Sequence, residues 1–129
     1  MEKPNNVIRI PTSIKGDFFK YWFQFLGPFH HLTPREIDII SVLLRKRYEL
    51  SKVINDTKLL DKVTLGEDVR RQVREECGIK LSHFQVIMAS LKKNGVVTEE
   101  GINPKYIPNI KEEHGKFQLL LYFDLNEEK

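Results

Sequence analysis

At 129 residues and 40% hydrophobic content, the chain has the size of one domain with extensions and enough apolar residues to bury a modest core. A charged fraction of 30% and a net charge of +3 make it mildly basic, which suits a polyanionic partner without requiring one. A single cysteine, Cys77, excludes an intramolecular disulfide, and no stretch approaches the roughly 18 apolar residues of a membrane span. With a polar start at 1–6 that does not resemble a signal peptide, a cytoplasmic protein without membrane contact is expected.

Residues 7–10 (Val-Ile-Arg-Ile) read as a short strand closed by Pro11, followed by an aromatic-rich arm over 17–26 that Gly27 and Pro28 should stop. Six aromatics in that run exceed one helical face, so some are expected on the domain and others against a partner protein or a second copy. Thr33, Pro34 and Glu36 make a helix start with a capping box, and Ile37, Ile40, Leu43 and Leu44 continue at helical spacing towards Val53. Asn55 and Asp56 should break that helix, and 57–63 leaves a short helix and a loop both open.

A second capping box, Thr64 to Glu67, opens a segment with Val69, Val73 and Cys77 four apart, and Gly78 supplies its stop. A third box, Ser82 to Gln85, leads a helix whose inward side is Phe84, Ile87, Met88 and Leu91 and which ends at Asn94 and Gly95. After Gly95 the period changes: 96–98 reads as a strand, 101–104 as a turn and 105–110 as a Pro-interrupted edge strand. Over 117–125 the odd positions are apolar, the pattern of a half-buried strand, with His114 and Gly115 at the hairpin tip.

Helix, helix, tight turn, helix and hairpin is the order of a winged helix-turn-helix. Residues 69–97, with Val69-Arg-Arg-Gln-Val73, Gly78-Ile79, Ser82, Leu91 and Lys92-Lys-Asn-Gly-Val-Val97, resemble the helix-turn-helix of winged-helix regulators and of phage or plasmid replication initiators. Gly101-Ile-Asn-Pro-Lys-Tyr106 is similar to the Ile-Asn-Pro-x-Tyr that follows this helix in some replication initiators. The fold this implies is α+β: three or four helices and a small antiparallel wing over 32–125, preceded by the strand and arm of 1–31 and followed by a tail at 126–129. Glu112 and Glu113, at the presumed wing tip, would repel phosphates.

The function implied is sequence-specific or semi-specific binding of double-stranded DNA through the helix at 82–94, in a small regulator or a replication- or packaging-associated factor. Ser82, His83, Gln85, Val86 and Ser90 are the outward residues of that helix. Gln85 suits either bidentate reading of adenine or the capping box, whereas His83 suits solvent or phosphate better than a base edge. Arg70, Arg71, Arg74, Lys80, Lys92 and Lys93 are phosphate-contact candidates, with a solvated helix face near Glu75 and Glu76 as the alternative.

From Thr33 to Lys93 there are 13 Lys and Arg against 9 Asp and Glu, whereas Lys111 to Lys129 holds 3 bases and 5 acids, so the basic surplus lies with the helices. No nucleophile–base pair, Cys-x-x-Cys, His-Glu-x-x-His or phosphate-binding glycine loop is present, and neither catalysis, a metal nor a cofactor is expected. The competing class is a non-enzymatic protein-interaction or structural module that reuses the same fold.

Overall fold

The computed structural model describes residues 7–111, 115–121 and 123–125. These form five α-helices, α1 (Phe18–His30), α2 (Pro34–Ser51), α3 (Thr57–Thr64), α4 (Glu67–Cys77) and α5 (Leu81–Lys93), followed by a 3-10 turn at Pro104–Tyr106.

The aromatic segment folds as α1 because one helical face can be buried: Phe19, Phe23 and Gly27, four apart, lie against α2. Gly27 permits the close approach, since a Cβ there would sit 2.9 Å from Ile37 Cδ1. The helix was expected to stop at Gly27 and Pro28, but it runs on to His30 and ends at His31 in the left-handed region (φ 57°). Pro28 lacks one donor and is exposed, which restricts its disruption to a single turn.

At the centre is α2. Its capping box forms as expected, with Glu36 N–H donating to Thr33 Oγ1 and Thr33 N–H donating to Glu36 Oε1 at 2.8 Å. Ile39, Ile40, Leu43 and Leu44 are fully buried among α1, α4 and α5, each such side chain contributing about 1.5–3 kcal/mol. The open region 57–63 resolves as α3, capped by Asp56, whose side chain accepts from Lys58 N–H. The expected box at Thr64 and Glu67 does not form: Thr64 is the buried last residue of α3, its hydroxyl donates to Leu60 O at 2.7 Å, and α4 starts after Gly66.

The α+β expectation is overturned, because the described residues are helical and contain no strand and no wing. One bridge, Val97 to Ile102, closes a stub around Glu99 and Glu100 and goes no further. Two local features end it. Asn103 turns its side chain inward, Nδ2 donating to Gly95 O at 2.9 Å and Oδ1 accepting from Lys105 N–H, and Pro104 then starts the 3-10 turn. Pro108 removes a further donor from the segment expected as an edge strand. Val96, Val97, Ile102 and Tyr106 are apolar because they close the helical core, which explains their pattern without a sheet.

Residues 7–10 are exposed and without regular structure rather than a strand. The described part of 117–125 is likewise not a strand, although Phe117 packs edge-on against Phe18 and Trp22 of α1. The hairpin tip at His114 and the acidic pair at Glu112 and Glu113 lie outside the described residues.

Candidate nucleic-acid interface

Helices α4 and α5 are joined by Gly78, Ile79 and Lys80. Gly78 takes the left-handed conformation (φ 64°, ψ 40°), its N–H donates to Glu75 O, and Ile79 N–H donates to Arg74 O at 3.2 Å. Ile79 packs against the core and Lys80 is extended, so the end of α4 fixes where α5 begins. Helix α5 therefore starts at Leu81 with Lys80 as its N-cap and no side-chain cap. The expected box of Ser82 and Gln85 is absent, and Gln85 is exposed.

Phe84, Ile87 and Leu91 face the core. On the opposite side Ser82, Val86, Ala89 and Lys93 follow each other at helical spacing, all exposed, with Gln85 and Lys92 along one edge and His83 along the other. Val86 is 65% exposed in a position where an apolar side chain gains nothing from its own fold. Ala89 completes this ridge and was missed in the sequence; its spacing of seven from Ser82 is the signal that marks it. Between Lys80 and Lys93 there are three lysines and no acid.

Ser90 does not belong to the outward set. Its hydroxyl donates to Glu36 Oε2, so the buried Glu36 carboxylate joins the start of α2 to the last turns of α5. The pair ties α5 to α2 across 54 residues of sequence.

The arginines divide by surroundings. Arg70 is half-buried, with its guanidinium carbon 5.9 Å from the centre of the Phe84 ring and a buried Nε that has no hydrogen-bond partner among the described residues. That position makes it a clamp between α4 and α5 more than a surface group. Arg71 is half-exposed and pairs with Asp68 one turn earlier at 3.5 Å; Arg74 is half-buried. Lys80, Lys92 and Lys93 are exposed. The second basic cluster in the sequence is electrostatically occupied: Arg45 and Lys46 pair with Glu76, and Arg47 with Asp61 at 3.0 Å.

Cys77 is half-buried at the end of α4, with Sγ 3.9 Å from Asp38 O. Burial pushes its thiol above the ordinary value, and the carboxylates of Asp38 and Glu76 add to the rise. Among the described residues no group of three or more His, Cys, Asp or Glu side chains is arranged to hold a metal ion, and no helix is long and apolar enough to cross a membrane. No family model, curated protein or solved structure matches the chain.

Proposed function

We infer that the protein binds double-stranded DNA through the outer face of α5, without catalysis, as a small regulator or as a replication- or packaging-associated factor. The observation that carries this reading is the exposed, acid-free ridge of Ser82, Val86, Ala89 and Lys93, presented by a helix whose other face is locked into the core. A helix about 10–12 Å across fits the major groove, and a rigidly seated one holds its side chains in register with base edges. Ser82, Gln85, Val86 and Ala89 are the base-facing candidates: Gln85 can pair bidentately with adenine, and Val86 and Ala89 suit thymine methyl groups. Lys80, Lys92, Lys93, Arg71 and His83 are the phosphate candidates, with the half-buried Arg74 as a further one.

The test is fluorescence anisotropy with a mixed-sequence duplex between 50 and 200 mM salt, roughly the range over which phosphate contacts are lost. Each phosphate-contacting lysine contributes a slope of about 0.9 in log affinity against log salt, so Lys92→Ala with Lys93→Ala should flatten the slope by about 2. Selection from a randomised duplex pool should show a base preference that Gln85→Ala relaxes. Affinity independent of salt, or variants that bind as the parent does, would exclude α5 as the reading head. The reading as a protein-interaction module rests on a different observation, the exposed aromatics Tyr21, Phe25 and Phe29 on α1.

A further inference from the structure

The stretch before α1 has a composition and a conformation that its own fold does not use. Residues 7–16 (Val-Ile-Arg-Ile-Pro-Thr-Ser-Ile-Lys-Gly) contain two cations and no acid. Residues 7–13 are exposed and without regular structure, with Val7 61%, Ile8 88% and Ile10 57% open to solvent. Pro11 biases Ile10 towards extended backbone. Arg9 and Lys15 have no hydrogen bond or ion pair among the described residues.

The root of this arm is fixed. Ile14 packs against the core, and the N–H groups of Gly16 and Phe18 both donate to Ser13 O, at 3.1 and 3.2 Å. Gly16 and Asp17 then line one side of a cleft of about 340 Å³ that Glu76 and Cys77, at the end of α4, line as well. Helix α5 starts at Leu81, just past the turn that follows Cys77, so the arm leaves the fold beside the N-terminal end of α5. Acids in the cleft are neutralised there: Asp38 pairs with Lys20 and Arg35, and Glu76 with Arg45 and Lys46. Past the other end of α5 the stub exposes Glu99 and Glu100, which repel phosphates.

We propose that residues 7–15 enter the minor groove of the same DNA, next to the major groove that α5 occupies, with Arg9 at its floor. This rests on the DNA reading of α5 and extends it from one groove to two. Nine extended residues reach about 30 Å, whereas neighbouring major and minor grooves lie half a helical turn, or about 17 Å, apart. A minor groove about 6 Å wide admits an extended chain and excludes a helix. Over A·T pairs it is narrow and strongly negative, which attracts arginine, whereas each G·C pair places the guanine N2 amino donor on the floor against it. Val7, Ile8 and Ile10, on either side of Arg9, then leave water against the sugars of the groove walls, a use that the fold itself does not give them.

The experiment is fluorescence anisotropy of the full chain with three short duplexes that share a mixed-sequence centre and differ in their flanks: A·T, G·C or inosine·C. An inosine·C pair keeps the major-groove edge of G·C but lacks the minor-groove amino group, so it separates the two grooves. The expected result is tighter binding to A·T and inosine·C flanks than to G·C flanks by on the order of tenfold. Arg9→Ala should remove that difference and lower the salt slope by about 0.9, with helicity by circular dichroism unchanged because Arg9 is exposed and outside every helix. Lys92→Ala with Lys93→Ala should weaken all three duplexes alike and keep the preference. Equal binding of the three by the parent protein, or a preference that Arg9→Ala retains, overturns the arm contact, spares the α5 reading and leaves the apolar arm to a protein partner. Inosine·C flanks as weak as G·C flanks overturn it too, since the flanks would then be read from the major groove. A parent protein that binds none of the three removes the α5 reading and the arm contact with it.

Discussion

Replacing Glu36 or Ser90 probes whether the carboxylate between α2 and α5 holds the candidate recognition helix. Glu36 is only 4% exposed and uses both oxygens, one for Thr33 N–H and one for the Ser90 hydroxyl. Loss of the reciprocal cap costs about 1 kcal/mol. Loss of a hydrogen bond to a charged group costs about 1.5–3 kcal/mol, and relief of the carboxylate's own desolvation returns part of that. Glu36→Ala should therefore destabilise the fold by about 2 kcal/mol, and Ser90→Ala, which strands one carboxylate oxygen, by about 1–3 kcal/mol. Because they break the same bond, the double variant should fall short of the sum by at least about 1 kcal/mol. Urea unfolding followed by circular dichroism measures all three, and in thermal unfolding each kcal/mol should appear as a shift of about 3–5 °C in Tm. Strict additivity would show that the two side chains do not interact, and the account of how α5 is seated would fail with it.

Gly101 has a positive φ of 153°, and a Cβ there would lie 2.8 Å from Asp61 Cγ, so Gly101→Ala should push Asp61 off Arg47 and cost about 1–3 kcal/mol in thermal unfolding. A neutral outcome would mean that the stub at 97–102 is not pressed against α3. The Cys77 thiol, raised by burial and by Asp38 and Glu76, should react with iodoacetamide at pH 8 more slowly than a small exposed thiol; an equal or faster rate would contradict the described surroundings. Since the folded value lies above the unfolded one, the associated stability is complete below the unfolded value and is lost as pH rises through the folded one.

Much of the helical framework was legible in local signals. The start of α2 needed only Thr33, Pro34 and Glu36, and the seating of α4 and α5 followed from Val69 and Val73, from Gly78, and from Phe84, Ile87 and Leu91. Two capping boxes of the same form were misleading for reasons that sequence spacing does not carry. Thr64 has its hydroxyl drawn back into α3, and the start of α5 is dictated by the turn before it, so Ser82 arrives one residue inside the helix. The β reading failed because alternation records only which side chains are apolar, and a strand also needs a partner at long range. Ser90 was assigned outward for a similar reason: its acceptor is 54 residues away.

Trp22 Nε1 donates to Tyr106 O at 2.8 Å across 84 residues, and the Tyr106 hydroxyl lies 3.1 Å from His30 Nδ1, so the first helix and the 3-10 turn hold each other. As Trp22 is the chain's only tryptophan, its emission reports the meeting of distant parts of the chain and not the formation of α4 and α5. Closing a loop of that length is among the slower, entropy-limited events of folding, while neighbouring helices can pair early through short connections. Fluorescence and circular dichroism therefore watch different moments of folding in this protein, and a lag of the first behind the second would measure the time the ends take to find each other.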